Sequence, residues 1–265
     1  MATSASRRKL AASALGRTAA LLAALLSWHL FAIGPGKAAG IPTPVDTFAN
    51  WGVKLGTPDY WAALGNTLWT SLLGLIVTSV IAIPLGLIIG AVRVFDRSTR
   101  LLIDFFRFVP AIALLPLILL LFGSTRPMAI VLIVIGAIWP LLVQATYSVK
   151  EISPLMRSVS KAFHLTTADR MRYVYAPATM PFILTGFRIA ATISLLMAIS
   201  AEFLGGADGL GRRLFQALQI NDPVSIFVYA LTTALLGVAL SSALLFIQNK
   251  VLFWHPSVRA AGGRK

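Results

Sequence analysis

The sequence predicts an all-α polytopic membrane protein, and three observations support that fold class. Of its 265 residues, 57% are hydrophobic and only 12% are charged, whereas soluble domains carry about 25% charged residues. Long apolar runs separate the charges, and the interval between Asp59 and Arg93 contains none. The Lys and Arg residues lie in short clusters between these runs, which is how membrane topology is encoded. The net charge of +14 therefore indicates a lipid bilayer, and not nucleic acid, as the partner.

Two interpretations fit the N-terminal region. Residues 1–17 are basic, and residues 18–34 form an apolar run whose length lies between a signal-peptide core and a full membrane span. The SRRKLAA segment is similar to a twin-arginine signal, and small residues after Lys37 could allow cleavage. We favour a retained, cytoplasmically anchored first transmembrane helix over residues 18–34, because this cleavage site is weak.

The rest of the chain predicts an external loop and a core of five spans. Residues 35–62 are polar and aromatic, and Trp51 and Trp61 are typical of a membrane interface. The core covers residues 63–251 and ends in a basic tail at residues 252–265, and its predicted spans are the uncharged stretch before Arg93 and residues 103–122, 128–147, 182–203 and 225–251.

A stripe of small residues marks the first span of this core. Ala82, Gly86 and Gly90 recur at four-residue spacing, so another helix can approach this face closely. The alternative is that these glycines reflect only the general frequency of glycine in membrane helices.

The distribution of basic residues predicts the orientation. Eighteen Lys and Arg residues fall on the side of both termini and of residues 150–181, and five fall on the other side. Cytoplasmic segments carry this excess. The sequence therefore predicts that both termini and the polar block at residues 150–181 are cytoplasmic.

The sequence lacks the motifs of an enzyme. It contains no phosphate-binding GxxxxGK[ST] loop, no HExxH and no cysteine, and its three histidines lie in three separate regions. Of nine acidic residues only Glu202 lies near a span, so a relay of buried carboxylates is poorly supplied. We therefore expect a chain that binds no cofactor itself and is driven by another protein.

The polar block predicts a helix-turn-helix elbow. Residues 158–165 favour one short helix, and residues 168–175 favour a second. Thr166 or Thr167 can cap the second helix, and Asp169 three residues after Thr166 is close to a capping box.

The end of the elbow and its apolar side chains suggest a docking role. Pro177 is expected to end the second helix. Phe163, Leu165 and Met171 are available for a groove on a partner protein. The alternative is a basic interfacial loop that only sets the topology.

The block resembles the EAA loop of bacterial ABC-importer permeases. That pattern is Glu-Ala-Ala, three residues, a glycine and a helix ending at a Leu-Pro pair. With Ala176-Pro177 as the anchor, the family glycine falls on His164, and the Glu-Ala-Ala falls on Ser158, Val159 and Ser160. The motif is thus degenerate, and we expect the turn to close less readily because histidine adopts positive φ angles less easily than glycine.

Three further stretches resemble the permeases for nitrate, sulfonates and taurine. They are the RFVPAIALLPLILLLFG run that begins at Arg107, the Trp139-Pro140 pair, and the AEFLGGADGLG run that begins at Ala201. The resemblance implies a type I ABC-importer permease with about six transmembrane helices in a bacterial inner membrane. It also implies a small transported solute, such as a sulfonate, taurine, nitrate or a related anion.

The resemblance implies partners and site residues. A second permease copy, two cytoplasmic ATP-binding subunits that hold ATP and Mg, and a periplasmic binding protein or lipoprotein would complete the transporter. A coupling helix at about residues 159–167 would dock into the ATPase. The implied docking residues are Ser158, Val159, Ser160, Lys161, Ala162, Phe163, His164, Leu165, Thr166, Asp169, Arg172 and Pro177.

Arg188 and Glu202 are candidates for pathway or gate contacts. A snorkelling cytoplasmic arginine and an interfacial glutamate are the alternatives for these two residues. Two other functional classes stay open at this point. An ion-coupled secondary transporter would show paired repeats or broken helices, and a membrane scaffold would transport nothing.

Overall fold

The computed structural model describes residues 4–253, with the side chains of residue 16 and of residues 18–253, and every regular element in that range is helical. The helices are α1 (Ser4–Ile33), α2 (Pro44–Leu55), α3 (Pro58–Ala91), α4 (Arg93–Phe106), α5 (Leu115–Phe122), α6 (Arg126–Lys150), α7 (Pro154–Ala162), α8 (Thr167–Asp169), α9 (Ala176–Gly205), α10 (Leu210–Gln219) and α11 (Pro223–Val251). Short 3₁₀ turns cover Pro35–Ala39 and Ala111–Leu114, and a π-helical turn covers Arg170–Tyr175.

Four stretches of this range are long and apolar enough to cross a membrane. They are α3, α6, α11 and the continuous stretch Thr167–Gln219, which contains α9. The bent pair α4 and α5 makes five if it is counted as one span. The Thr18–Ile33 part of α1 is a shorter apolar helix, and it corresponds to the first predicted span, over residues 18–34. The all-α polytopic fold class is confirmed.

The span that the sequence predicts over residues 103–122 is broken in the structure. Helix α4 ends at Phe106, and α4 and the helical residues 111–122 are bent relative to each other by 75°. Pro110 explains the break, because proline has no backbone N–H and its ring clashes with the carbonyl group four residues earlier. Pro116 lies in the first turn of α5, where a proline is tolerated.

The core of the bundle is the packing of α3, α6 and α9. The predicted small-residue stripe is confirmed as a close contact between α3 and α6. A Cβ atom at Gly86 would lie 2.6 Å from the carbonyl oxygen of Leu142, and one at Gly90 would lie 2.5 Å from that of Thr146. Ala82 is fully buried. Glycine is therefore required here because the backbones approach each other directly.

The predicted external loop contains a helix. Thr43 caps α2 by accepting a hydrogen bond from the backbone N–H of Asp46 at 3.2 Å, and Pro44 occupies the first turn. Threonine, proline and aspartate in this order form a strong helix start. Tyr60, near the end of this region, is buried inside the bundle. Its hydroxyl group accepts a hydrogen bond from Trp51 and shares one with Thr232.

The elbow differs from the predicted pair of helices in its boundaries. The first helix, α7, begins at Pro154, four residues earlier than predicted, because Ser153 caps it with a bond from the N–H of Met156 at 3.2 Å. The predicted helix end at Pro177 is wrong. The backbone is helical from Thr167 through the π-helical turn into α9, and this turn places Pro177 in the first turn of α9, where its missing N–H costs little.

Candidate functional site

The turn of the elbow has the hydrogen bonds of a Schellman motif. The N–H of Leu165 donates to the carbonyl oxygen of Ser160 at 3.2 Å, and the N–H of His164 donates to that of Lys161 at 2.9 Å. His164 has a φ angle of +49°, in the left-handed region that glycine normally supplies at this position. The turn expected to close less readily at His164 is closed in the structure, because His164 adopts the positive φ angle and both hydrogen bonds of the motif form.

The second arm of the elbow begins at a capped turn. The Thr166 hydroxyl accepts a hydrogen bond from the backbone N–H of Asp169 at 3.2 Å and donates one to the Asp169 carboxylate at 2.6 Å. Arg170 closes the turn, because its Nε donates to the carbonyl oxygen of Leu165 at 3.0 Å. Of the two candidate caps, Thr166 is the one used. The turn is thus rigidly defined although it lies on the surface.

Apolar side chains cover one exposed face of the elbow. Val159 and Met156 are about half exposed, and Phe163 is 74% exposed. A groove of about 320 Å³ lies between these residues and the second arm. Exposed apolar surface of this kind marks interaction sites. We call this face the elbow patch and define it as Leu155, Met156, Val159, Phe163 and Tyr173.

A few contacts attach the elbow to the bundle. Arg157 donates from Nη2 to the carbonyl oxygen of Val149 at the end of α6, at 3.1 Å. Ile152 is buried beneath α7. An apolar cavity of about 550 Å³ separates the elbow from the ends of α3 and α9, and its lining includes Met171 and Ile183. The elbow is therefore attached to the end of α6, and a cavity lies between it and the core helices.

The predicted docking residues divide between the outer and inner faces of the elbow. Ser160 points inward, is 2% exposed and donates its hydroxyl to the carbonyl oxygen of Arg157. Its side chain is therefore not part of the exposed face. Leu165, Asp169 and Pro177 are half-buried, and the exposed residues are Ser158, Val159, Lys161, Ala162, Phe163, His164, Thr166 and Arg172.

Arg188 and Glu202 do not form a pair. Both lie on α9 and are separated by about 21 Å along the helix axis. Arg188 is half-buried near the elbow side of the helix, whereas Glu202 is fully buried at the opposite end. The structure therefore does not combine the two into one polar site.

The Glu202 carboxylate links three helices. Its Oε2 accepts a bond from the Thr67 hydroxyl of α3 at 2.8 Å and from the N–H of Gly211 in α10 at 3.0 Å. The same Thr67 oxygen accepts from the N–H of Leu210 at 2.9 Å. The carboxylate thus satisfies the N–H of Gly211 in the first turn of α10, where a negative charge is favourable, and the Thr67 hydroxyl satisfies the N–H of Leu210.

A glycine-rich segment closes over this carboxylate. We call residues 205–211 the glycine lid. A Cβ atom at Gly209 would lie 2.1 Å from the Glu202 carboxyl carbon, and one at Gly211 would lie 2.3 Å from the carbonyl oxygen of Ile199. Gly206 ends α9 with a φ angle of +75°. The lid needs glycine because no side chain fits, and this packing favours a structural role for Glu202.

Sequence reasoning missed several residues of these sites. Leu155, Met156 and Tyr173 belong to the elbow patch but lie outside the residues taken from the EAA pattern. The sequence signal for these residues is the amphipathic pattern of residues 154–162. It can be recognised only when the helix is started at Pro154. Thr67 carries no sequence signal of its own, since its partner Glu202 is 135 residues away.

Comparison with known proteins identifies the family. Residues 82–252 match the family described as binding-protein-dependent transport system inner membrane component. Among curated relatives, the nitrate import permease protein of Leptolyngbya laminosa is 30% identical over 179 residues, which are 68% of this chain and 64% of the relative. The nitrate import permease protein of Synechocystis sp. is 27% identical over 88% of this chain and 87% of its own.

Other similar proteins extend this picture. The putative aliphatic sulfonates transport permease protein of Bacillus subtilis is 26% identical over 85% of this chain and 82% of its own. Among solved structures, the inward-facing MetNI methionine ABC transporter matches with a TM-score of 0.59 at 22% identity, over 77% of this chain and 98% of its own. An amino acid ABC transporter matches with a TM-score of 0.58 at 17% identity, over 73% of this chain and 94% of its own.

The fold and the family agree. The structural matches show a type I importer permease fold, and the family match covers the elbow, α9 and the glycine lid. The secondary-transporter and scaffold alternatives are thereby replaced by one class. The chain belongs to the inner membrane components of binding-protein-dependent transport systems, and it is a non-enzymatic transmembrane subunit of an ATP-driven importer.

Proposed function

We propose that this chain forms, with a second copy of itself, the pathway by which a small oxyanion enters the cell. The relatives named for nitrate and aliphatic sulfonates, together with the bicarbonate transport permease of Synechococcus elongatus, support this substrate class. Nitrate, sulfonate and bicarbonate share a small anionic head with several oxygen atoms. The observation that carries the coupling part of the proposal is the elbow patch, an exposed apolar face on a rigid turn.

The orientation follows from the charge distribution. With both termini and the elbow in the cytoplasm, eighteen of the 23 basic residues lie on the cytoplasmic side. The glycine lid and α10 then face the periplasm, where a substrate-binding protein or lipoprotein would deliver the anion. This arrangement places the elbow patch where a soluble ATP-binding subunit can reach it.

The partners in the cytoplasm are two ATP-binding subunits. ATP and Mg would be held by those subunits. Val159 and Phe163 would insert into a groove of the ATPase as apolar anchors of a short helix. The docking residues taken from the EAA pattern, with Ser160 facing inward, remain our proposal for this contact.

Coupling requires that the ATPase binds the elbow differently in two states. A ligand shifts a conformational equilibrium only by its difference in affinity for the two states. The Arg157 bond to the end of α6 and the cavity of about 550 Å³ beside α9 support a movement of the elbow that leaves the α3, α6 and α9 core packed. The π-helical turn at Arg170–Tyr175 would transmit that movement directly into α9.

Uptake into proteoliposomes tests the proposal. The full complex is reconstituted with its binding protein, and uptake of ¹⁵N-nitrate and of a ³⁵S-labelled alkanesulfonate is followed with ATP on the side of the ATPase. We expect uptake of at least one of these anions only when ATP, Mg and the binding protein are all present.

Matched conditions separate the alternatives. A non-hydrolysable ATP analogue is the control for hydrolysis, and an imposed ion gradient without ATP is the control for ion coupling. Uptake driven by the gradient alone would contradict the proposal. Uptake of an uncharged solute in preference to both anions would overturn the substrate class and leave the coupling role intact.

A further inference from the structure

A charged cavity lies between α4 and α6 on the elbow side of the bundle. Its volume is about 460 Å³. Helix α4 contributes residues at spacings of three and four, so one face of the helix lines the cavity. The charged lining residues are Asp96, Arg100 and Asp104 from α4, Arg107 directly after α4, and Lys150 from α6, and the others include Thr146 and Tyr147.

The opposite face of α4 is apolar and points away from the bundle. Leu101 is 82% exposed, Leu102 is 58% exposed and Phe105 is 66% exposed. In a bilayer these side chains would contact lipid chains. Helix α4 therefore turns its charges toward the protein and its apolar residues toward the membrane, so the cavity is a polar pocket with apolar surroundings.

The charges of this cavity do not cancel. Lys150 pairs with Asp96 at 2.5 Å, and Arg107 pairs with Asp104 at 3.5 Å. Arg100 lies one turn from each of these carboxylates, but no acidic group within the described residues lies within 4 Å of its guanidinium. Three cations and two carboxylates leave one positive charge, and this charge is that of Arg100.

An arginine in this position is suited to an oxyanion. The planar guanidinium group offers paired N–H donors that match two oxygen atoms of a carboxylate, sulfate or phosphate group. Low-dielectric walls focus the field of a positively lined cleft and raise the local anion concentration. The cavity volume also leaves space for the ion and ordered water.

We propose that the α4–α6 cavity binds an oxyanion group through Arg100, with Arg107 and Lys150 at its sides. Two sources supply this chemistry, which are a free solute anion and the phosphodiester of an anionic lipid whose chains lie along the apolar face of α4. The site goes beyond the proposed function, since it does not require that the chain transports anions.

Binding to the full-length chain tests this site in two arms. In detergent solution, a scintillation proximity assay measures the affinity for ³⁵S-sulfate. Native mass spectrometry counts retained phosphatidylglycerol, with phosphatidylcholine as the neutral comparison. The variant is Arg100→Gln, and the matched control is Arg97→Gln, which removes an exposed arginine of the same helix that does not line the cavity.

We expect Arg100→Gln to weaken binding about tenfold or more in at least one arm, because it removes a charge-assisted contact, while Arg97→Gln stays within about twofold of the wild type. A loss for sulfate alone supports a solute site, and a loss for phosphatidylglycerol alone supports a lipid headgroup site. If Arg100→Gln and Arg97→Gln bind sulfate equally well and also retain phosphatidylglycerol equally well, the proposal is overturned.

A second variant keeps the test valid if Arg100→Gln does not fold. Arg100→Lys retains the positive charge but loses the paired N–H donors of the guanidinium group, so a folded Arg100→Lys variant should bind more weakly than Arg97→Gln in the same arm. Equal binding by Arg100→Lys and Arg97→Gln in both arms would overturn the proposal. Because no arm uses ATP-driven uptake, a failure of the proposed function and a failure of this site give different results.

Discussion

The elbow and the glycine lid are turns at the two ends of α9, but they are built in opposite ways. In the elbow, Phe163 is 74% exposed and the patch around it has no partner within the described chain. In the lid, Glu202 is fully buried and Gly209 has no room for a single added carbon atom. The elbow thus presents an exposed apolar surface, whereas the lid is packed and hydrogen-bonded within the chain.

This difference separates coupling from stability. Side chains of the elbow patch contribute little to the packing of the chain, so their replacement should change an interaction with another protein. Groups around Glu202 are hydrogen-bonded inside the chain, so their replacement should change the fold itself. Replacements in the two regions should therefore differ in whether they change ATP-driven uptake or the free energy of unfolding.

The largest effect is expected from Glu202→Ala. It removes the acceptor of the bonds from Thr67 and Gly211 in a sealed site and opens a cavity, so the free energy of unfolding should fall by about 3 kcal/mol. Denaturation of the purified chain measures this loss. Glu202→Gln keeps the volume and one acceptor oxygen and should cost less. Equal stability of Glu202→Ala and the wild type would contradict a structural role for the lid.

A smaller effect of a different kind is expected from Phe163→Asp and His164→Asp. Both place a carboxylate on the proposed ATPase contact, and ATP-driven uptake should fall about tenfold or more because an apolar anchor is lost or a charge is desolvated. The free energy of unfolding should stay within about 0.5 kcal/mol of the wild type. Uptake and unfolding are measured on the same preparations.

Ile220→Asp is the control for these two variants. Ile220 is also 74% exposed but lies on the opposite side of the bundle, after α10. We expect it to leave ATP hydrolysis in the detergent-solubilised complex with the ATPase unchanged. A change of ATP hydrolysis in Ile220→Asp, or full uptake by both elbow variants, would contradict the difference between the two regions.

His164→Gly separates the backbone conformation of the elbow turn from any contact that the imidazole group makes with the ATPase. Glycine removes the cost of a left-handed conformation, which is roughly 1–2 kcal/mol for a residue with a side chain, but it increases the entropy of the unfolded chain. The net stability change should therefore be below about 1 kcal/mol, and uptake should be retained. A severe loss of uptake in a stable His164→Gly variant would show that the imidazole group itself contacts the ATPase.

The smallest effect concerns Asp222, which caps α11 on the lid side of the bundle. Its hydrogen bond from Ser225 holds the pKa of the carboxyl group below its usual value of 3.8. The stabilisation is therefore present above pH 3.8 and is lost as the pH falls below that value. Because solvent screens this group, the loss should be a few tenths of a kcal/mol.

Asp222→Asn isolates this contribution. The variant keeps a capping oxygen but has no carboxyl group to titrate, so the difference in unfolding free energy between it and the wild type should shrink as the pH is lowered from 6 to 3. Parallel pH profiles of the two proteins would contradict the assignment. The same pH range should leave the contacts of the elbow turn that involve no Asp, such as the Arg157 bond to Val149, unaffected.

Local and repetitive features of the fold could be predicted from the sequence. The Gly86 and Gly90 stripe signals a backbone contact by its spacing, and the Thr166 cap by its distance to Asp169. Both signals lie within one turn or one helix face. The His164 conformation was accessible only through the family pattern, because a single histidine in a polar loop carries no mark of its φ angle.

Features that depend on distant residues could not be predicted. Glu202 looks interfacial in the sequence, and only the approach of Thr67 and the first turn of α10 shows that it is sealed. The break between α4 and α5 inside the span predicted over residues 103–122 was not foreseen, because hydropathy does not record a bend of 75°. The predicted end of the second helix at Pro177 is wrong because proline usually ends a helix, whereas here a π-helical turn brings the proline to a permitted position in α9.

Cross-linking tests whether the elbow patch contacts the ATP-binding subunit. The natural chain has no cysteine, so Phe163→Cys introduces a single reactive thiol, and Ile220→Cys serves as the equally exposed control. In the assembled complex, a short reagent that carries a maleimide and a photoreactive benzophenone should join Phe163→Cys to the ATP-binding subunit with a yield that changes when ATP is added, and Ile220→Cys should give no such product. An absence of cross-links from Phe163→Cys in an ATP-hydrolysing complex, or equal yields from both positions, would contradict the account.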